Sequence, residues 1–305
     1  MSSPIWEHLK PRQEAVEAAL RGTLARFTAD APTSLADAMA YSLLAPGKRL
    51  RPLLAVLASE AVGGSLEQAL PAGCAVEMVH TYSLIHDDLP AMDDDDLRRG
   101  LPTCHVKFGE ALAILAGDGL LTLAFEVLAT GYGARTAAVS CAELAKGAGG
   151  IGMVGGQVLD LAAEGRIADS GNESASVGVL ENIHRRKTGA LFRSALRMGV
   201  FAAQAETEVN PETLSAIDRY AAAFGLAFQV TDDLLDVESS STATGKRVGK
   251  DAARGKLTYP GLLGVQASRQ KAAELGQDAV TAAEALGPGG GPLAELARYV
   301  VGRDR

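Results

Sequence analysis

The sequence predicts an all-α protein in which long helices pack together as one bundle. Apolar residues recur at the three- and four-residue spacing of an α-helix, and stretches of strict alternation are scarce. Alanine and leucine dominate, while aromatic residues make up only 5% of the chain. The stretch 67–86 is apolar on nearly all sides, so we expect it inside the bundle, whose core can hold a metal ion or a ligand.

Helical periodicity predicts the elements of this bundle in chain order. Predicted helices cover 11–27, 34–44, 67–86, 110–130, 134–147, 177–200, 211–237 and 260–286, and a short one at 293–301 follows the break GPGGGP at 287–292. Two polar breaks, 164–174 and 238–260, interrupt the pattern, but long apolar helices lie on both sides of each. Residues 1–305 are therefore expected to form a single domain.

Composition and charge exclude several classes of protein. The net charge is −8 and the sequence carries no basic stripe, which argues against nucleic-acid binding. Cys74, Cys104 and Cys141 are odd in number and widely spaced, so we expect no disulfides and a cytoplasmic location. No apolar segment follows the charged N-terminus and no run of 18 apolar residues occurs, so we expect neither a signal peptide nor a membrane span.

Two acidic stretches stand out against this background. The first, HDDLPAMDDDDLRRG, covers 86–100, and the second, FQVTDDLLDV, covers 228–237. Asp232 and Asp236 are four residues apart and share one face of a helix. Both stretches are predicted near the C-terminal end of an apolar helix, where carboxylates oppose the helix dipole and repel one another. This placement predicts a cationic partner, although a solvated acidic loop would also explain either stretch alone.

The donor atoms indicate which cation would fit. Carboxylate oxygens without His or Cys partners favour a hard cation, and Mg²⁺ is the first choice. An EF-hand is excluded because its loop pattern cannot be aligned with residues 87–98.

Further motifs in fixed order make the chain resemble a known family, the trans-isoprenyl diphosphate synthases, and most of all its bacterial farnesyl diphosphate synthases. DDLPAMD at 87–93 is similar to the first aspartate-rich motif of that family, and DDLLD at 232–236 to the second. The other matching stretches are GKRLRP at 47–52, EMVHTYSLIHDD at 77–88, RRGLPTCH at 98–105, GGQ at 155–157, HRRKTGALF at 184–192 and GKRVGKDAARGKLTYP at 245–260.

The resemblance implies helices around a deep central cavity, a homodimer, and Mg²⁺-assisted 1′-4 condensation of an allylic diphosphate with isopentenyl diphosphate. It implies about three Mg²⁺ ions per site, which Mn²⁺ could replace, acting as Lewis acids and as a template. The implied metal ligands are Asp87, Asp88, Asp93, Asp232 and Asp236, with Asp233 in support. Because Asp87 and Asp93 are six residues apart, Pro90 must bend the chain to bring them together, while residues 94–96 are expected to be solvated.

The resemblance also implies two diphosphate pockets. Contacts to the allylic diphosphate are carried over to Arg98, Lys187, Thr188, Gln229, Lys246 and Lys256, of which Lys187 and Lys246 join the aspartates as catalytic residues. Contacts to isopentenyl diphosphate are carried over to Lys48, Arg51, His80 and Arg99. The segment 238–260 is expected to cover the site and exclude water. No side-chain base is expected, because the departing diphosphate takes the proton.

The helix before Asp87 is expected to set product length. Tyr82 lies about 7.5 Å before Asp87 along a helix axis, and Ser83 beside it is small. In the family, a tyrosine at this place accompanies a C15 product, so we expect farnesyl rather than geranylgeranyl diphosphate.

Two alternative functions would need fewer of these residues. A terpene cyclase would not need the Lys48, Arg51 and His80 pocket. An inactive helical partner subunit would not need intact aspartates.

Overall fold

The computed structural model describes residues 4–168, 175–205, 208–242 and 256–303. Their helices are α1 (Pro4–Phe27), α2 (Thr33–Leu43), α3 (Leu50–Ala61), α4 (Leu66–Asp87), α5 (Cys104–Phe108), α6 (Glu110–Gly131), α7 (Ala134–Ala148), α8 (Met153–Ala163), α9 (Val177–His184), α10 (Ala190–Ala203), α11 (Pro211–Thr242), α12 (Tyr259–Leu263), α13 (Val265–Glu284) and α14 (Gly291–Gly302). Strands β1 (Leu97–Arg98) and β2 (Leu101–Pro102) form an antiparallel hairpin. The predicted all-α class is confirmed.

Several helix boundaries differ from the prediction. The predicted helix 177–200 is divided by a π-helical turn at Arg185–Gly189, and the predicted helix 260–286 is interrupted at Gly264, whose φ of 81° is left-handed. Helices α3, α5 and α8 were not predicted. Helix α3 is short and buried on almost every side, so it shows no amphipathic period that would reveal it.

The chain divides into two compact units. The first comprises Met1–Leu144 and Met198–Glu208, and the second comprises Ala145–Arg197 and Val209–Arg305. The single domain predicted for 1–305 stays a prediction.

In the first unit, α4 is the central helix. Ser65 caps its N-terminus by accepting a hydrogen bond from the backbone of Gln68, whose side chain accepts one in return. Gly117 of α6 lies so close to the His86 ring that a Cβ there would be 2.2 Å from Nε2. This close packing fixes the C-terminal end of α4, where the first aspartate motif begins.

Helix α6 is long and apolar enough, by length and composition, to cross a membrane. Its most apolar window has a mean hydropathy of 1.8, and 44% of that window is buried. Core helices share this composition, and α6 packs through Gly119 on Met39 of α2 and through Gly117 on α4. Ile114 and Leu115 remain 43% and 54% exposed. The three cysteines are free thiols, in agreement with the prediction of no disulfides.

In the second unit, α11 is the central helix. Leu226, Val230 and Leu234, each four residues apart, pack in a core cluster with Tyr259 and Leu275. Because this stripe faces the core, the acidic side chains of the second motif lie on other faces of α11 and are partly exposed. The second motif therefore lies on a helix that is anchored in the core through its opposite face.

Candidate active site

The first aspartate motif follows the end of α4 as a tight turn. The backbone N–H of Asp93 donates to the carbonyl oxygen of Asp87 at 2.7 Å, and that of Asp95 donates to Asp88 at 3.2 Å. Pro90 lies inside this turn, where it cannot continue the helix. Asp87 and Asp93 are thus backbone neighbours although six residues separate them, as the bend at Pro90 predicted.

Asp88 is paired with Arg98 of β1. Arg98 Nε lies 2.9 Å from both carboxylate oxygens, and its Nη2 lies 2.6 Å from Oδ1. Burial raises the pKa of Asp88 in spite of this partner. Burial also opposes the charge on Arg98, but the hydrogen bonds to Asp88, together with the negative charges of Asp88, Asp87 and Asp95, outweigh it and raise the arginine pKa. The structure thus joins a predicted metal ligand to a predicted diphosphate ligand.

The two predicted diphosphate arginines are adjacent, and a two-residue turn begins directly after Arg98. Arg99 and Gly100 have φ angles of 53° and 78°, the conformation of a type I′ hairpin. Arg98 reaches Asp88, whereas Arg99 donates from Nη1 to the carbonyl oxygen of Pro46 at 2.7 Å. The hairpin therefore directs the neighbouring guanidinium groups to two different places within the first unit.

Most of the predicted isopentenyl diphosphate residues come together around His80. The pKa of His80 is well below its usual value, first because of burial and then because of the positive charges of Arg51, Arg99, Arg98 and Arg49. Lys48 is exposed on the loop before α3. Such a concentration of cations around a neutral histidine is suited to a multivalent anion.

The predicted chain-length residues lie on the same helix. Tyr82 is 7% exposed, and its ring meets the His86 ring edge-on with centroids 5.6 Å apart. Burial raises its pKa, and the charge of Asp87 adds to this effect. Ser83 donates a hydrogen bond of 2.8 Å to the carbonyl oxygen of His80.

The second motif lies within α11 rather than at its end. The prediction that a helix ends at this motif is wrong, because α11 continues to Thr242 through a run of serines and threonines. Asp232 and Asp236 are both partly exposed and one turn apart. Asp233 accepts a hydrogen bond of 2.9 Å from the backbone N–H of Tyr259. Its carboxylate therefore holds the start of α12.

Arg303, near the C-terminus, is a partner of the second motif that the sequence did not reveal. Its Nη2 donates to Asp232 Oδ1, and its guanidinium lies 4.4 Å from the centroid of the Phe228 ring. The two residues are 71 positions apart. Only the surplus of acidic over basic side chains in the motif hinted at such a partner.

Lys187 and Thr188 lie in the π-helical turn. Lys187 Nζ is 2.6 Å from Asp160 Oδ2 of α8. Gly156, from the GGQ stretch, lets α8 approach this turn, because a Cβ there would be 2.2 Å from the Lys187 backbone nitrogen. Thr188 is 8% exposed. A π-turn of this kind often marks a functional site, and here it carries two predicted ligands.

The remaining predicted contacts also fall in the second unit. Gln229 of α11 and Lys256 are partly buried, and Lys256 is near enough to affect the pKa of His184. That pKa falls to about 4, mainly through burial, and the His184 ring stacks on Tyr259. Lys246 and most of the segment 238–260 lie outside the described residues.

Within the described part of the chain, no group of three or more His, Cys, Asp or Glu side chains is arranged to hold a metal ion.

Comparison with known proteins identifies the class. The polyprenyl synthetase family model matches residues 32–285. Farnesyl diphosphate synthase of Escherichia coli (strain K12) is 46% identical over 292 residues, which cover 92% of this chain and 94% of that protein. The chloroplastic geranylgeranyl pyrophosphate synthase of Catharanthus roseus is 47% identical over 277 residues, covering 90% and 75%. The crystal structure of a geranyltransferase from Legionella pneumophila has a TM-score of 0.82 and 34% identity, covering 97% of this chain and 96% of that one.

The chain belongs to the polyprenyl synthetase family. The predicted family, the helical fold and the transferase class are confirmed.

Proposed function

We propose that the protein condenses isopentenyl diphosphate with dimethylallyl or geranyl diphosphate and releases farnesyl diphosphate. The observation that carries this proposal is the pair of adjacent arginines on one hairpin. Arg98 meets the first aspartate motif, while Arg99 joins the cations around His80. Two separate cationic positions are what an enzyme with two diphosphate substrates requires. The similarity to the farnesyl diphosphate synthase of E. coli supports the same reaction.

Both aspartate motifs fit Mg²⁺. Their donors are carboxylate oxygens, the Asp87–Asp93 turn brings two of them close in the backbone, and Asp232 already attracts the cation of Arg303. Mg²⁺ bound there would offset the negative charge of the leaving diphosphate. Asp87, Asp93, Asp232 and Asp236 are the proposed ligands. Asp88 could join them only if its pair with Arg98 opened.

The chain's own cations would bind and orient the substrates. The allylic diphosphate is assigned to Arg98, Lys187, Thr188, Gln229, Lys246 and Lys256, and isopentenyl diphosphate to Lys48, Arg51, His80 and Arg99. The low pKa of His80 keeps the ring neutral, so at neutral pH it would donate a hydrogen bond rather than a charge. The departing diphosphate would accept the proton that ends the condensation.

An assay with labelled isopentenyl diphosphate tests the reaction. Incorporation into a longer prenyl chain is expected with dimethylallyl or geranyl diphosphate in the presence of Mg²⁺, and loss of incorporation is expected with EDTA. A terpene cyclase would consume the allylic diphosphate without isopentenyl diphosphate. An inactive partner subunit would consume neither substrate.

A C20 product is the second candidate, and the similarity to the geranylgeranyl pyrophosphate synthase of C. roseus favours it. We favour C15 because Tyr82 presents an aromatic ring about one and a half helical turns before Asp87. Tyr82→Ala should shift the product towards C20, whereas Tyr82→Phe should retain C15. Chromatography of the dephosphorylated products separates these outcomes, and an unchanged profile in Tyr82→Ala would contradict the role of the ring.

We further propose a cytoplasmic homodimer. The free thiols support the location. The exposed Ile114 and Leu115 on α6 support self-association, because neighbouring apolar side chains of this size are usually covered. Light scattering after size exclusion should give twice the chain mass. Leu115→Glu should give monomers, while the exposed α6 control Thr122→Glu should remain dimeric.

A further inference from the structure

Arg49 lies between the proposed diphosphate ligands Lys48 and Arg51, yet its side chain points into the first unit. It is 3% exposed. Its Nε donates to Glu17 Oε1 at 2.6 Å and its Nη1 donates to Glu77 Oε1 at 2.8 Å. Every described contact of its guanidinium is thus with the protein, so Arg49 is not itself available to a substrate.

The backbone of Arg49 is also unusual. Its φ of 51° is left-handed, which costs a residue with a side chain about 1 kcal/mol. Such a conformation persists only where the surroundings fix it. Here it reverses the chain between the exposed Lys48 and the start of α3, which carries Arg51. The two carboxylate contacts of Arg49 therefore set the direction in which its neighbours leave the loop.

The loop before Arg49 is held at three consecutive carbonyl groups. Those of residues 45, 46 and 47 accept hydrogen bonds of 2.8, 2.7 and 3.1 Å from Arg49, Arg99 and Gln13. A Cβ on Gly47 would lie 2.4 Å from Arg99 Nη1, so a larger residue there would displace the guanidinium of Arg99. Arg49 and the proposed ligand Arg99 thus stabilise the same short loop.

The charges around Arg49 favour a cationic pocket that is formed before the anion binds. Glu17 and Glu77 face the guanidinium of Arg49, and Glu17 also lies 4.0 Å from Arg21, so the positive charge of Arg49 is offset within the protein. Burial lowers the pKa of Arg99, and the positive charges of Arg49 and Arg98 lower it further, whereas the charge of Glu77 opposes this. Glu77, an acidic partner of Arg49, therefore also helps to keep Arg99 charged.

We propose that Arg49, held by Glu17 and Glu77, is a positioning residue that organises Lys48, Arg51 and Arg99 for the diphosphate of the non-allylic substrate. The proposal rests on the proposed function. It assigns Arg49 no contact with substrate. Substitution of Arg49 should weaken the binding of isopentenyl diphosphate and leave the binding of the allylic diphosphate and of the metal unchanged.

Steady-state kinetics of Arg49→Lys and Glu17→Gln test the proposal. Lysine keeps the charge but cannot hold two carboxylates and a carbonyl with the planar fork of arginine. For Arg49→Lys, KM for isopentenyl diphosphate should rise about tenfold, the equivalent of 1.4 kcal/mol in binding. KM for geranyl diphosphate and kcat should stay within about twofold. Glu17→Gln should shift the same KM in the same direction, but less.

Glu60→Gln is the matched control. The Arg12–Glu60 pair also joins α1 to α3, at 2.9 Å, but it does not touch the loop. If Arg49→Lys and Glu60→Gln change KM alike, or if Arg49→Lys changes both substrates alike, the positioning role is wrong. If Arg49→Lys fails to fold, Glu17→Gln still tests the proposal, because Glu17 is partly exposed and its substitution disturbs the core less. Lack of condensation by the unmodified protein would instead count against the proposed function.

Discussion

The two aspartate motifs each pair an aspartate with an arginine, but the burial of the two partners is reversed. In the first motif the Asp88 carboxylate is 4% exposed and Arg98 is 34% exposed. In the second motif Asp232 is 43% exposed and Arg303 is 7% exposed. The acid is the buried member of the first pair, and the arginine is the buried member of the second.

Because their burial differs, the two aspartates are suited to different roles. Both oxygens of Asp88 accept hydrogen bonds from Arg98, so the pair orients a guanidinium that stays open to solvent and to an anion. Asp232 keeps much of its surface open and is suited to a metal ion. Removing a member of a buried pair costs stability, whereas an exposed carboxylate contributes little to it. Substitutions can therefore separate a structural role from a catalytic one.

The largest expected effect comes from Asp232→Asn. If Asp232 binds the metal, kcat should fall about 10²–10³-fold, the usual loss when one group that stabilises developing charge is removed. The melting temperature should fall less than in Asp88→Asn, because the Asp232 side chain is 43% exposed and the oxygen of asparagine can still accept a hydrogen bond from Arg303. Asp96→Asn is the control, because Asp96 is exposed and follows the first motif, and this variant should keep its activity. Normal turnover by Asp232→Asn would exclude a role in catalysis.

Asp88→Asn should reduce stability more, and activity less, than Asp232→Asn does. Losing a charged, buried partner of Arg98 should lower the free energy of unfolding by about 2 kcal/mol, seen as a fall in the melting temperature. Activity should fall less than in Asp232→Asn, and KM for the allylic diphosphate should rise because Arg98 is no longer held. An Asp88→Asn variant that keeps its melting temperature but loses turnover as Asp232→Asn does would make Asp88 a metal ligand instead.

The fold class, the family and part of the site could be predicted from the sequence. The all-α class followed from helical periodicity, and the family followed from motifs in fixed order. The Asp87–Asp93 turn was predictable because a proline inside a six-residue separation must bend the chain. Arg98 lies ten residues from Asp88, in the acidic stretch 86–100, and the family resemblance placed both residues at one site. These features depend on short-range geometry.

Features that depend on tertiary packing were not predictable in this way. Arg303 reaches Asp232 only because α11 and the end of α14 pack together within the second unit. The π-turn at Lys187 packs closely against Gly156, which lies on another helix. Arg49 looked like one more basic residue of GKRLRP, and only its burial separates it from Lys48 and Arg51. Sequence spacing cannot report which arginine of such a run turns inward.

The smallest expected effect concerns the arginine of the second pair. Because its guanidinium occupies Asp232, Arg303 should compete with a divalent cation for that carboxylate. Arg303→Gln should therefore lower the Mg²⁺ concentration for half-maximal activity about twofold to threefold, the scale of an interaction worth less than 1 kcal/mol. Arg298→Gln, which breaks the exposed pair between Arg298 of α14 and Glu284 of α13, is the control and should leave the requirement unchanged. Titration of Mn²⁺ into the substrate-free protein, followed by electron paramagnetic resonance, measures the competition without turnover. Weaker Mn²⁺ binding in Arg303→Gln would mean that Arg303 holds Asp232 in place for the metal, and the two pairs would then share one role despite their reversed burial.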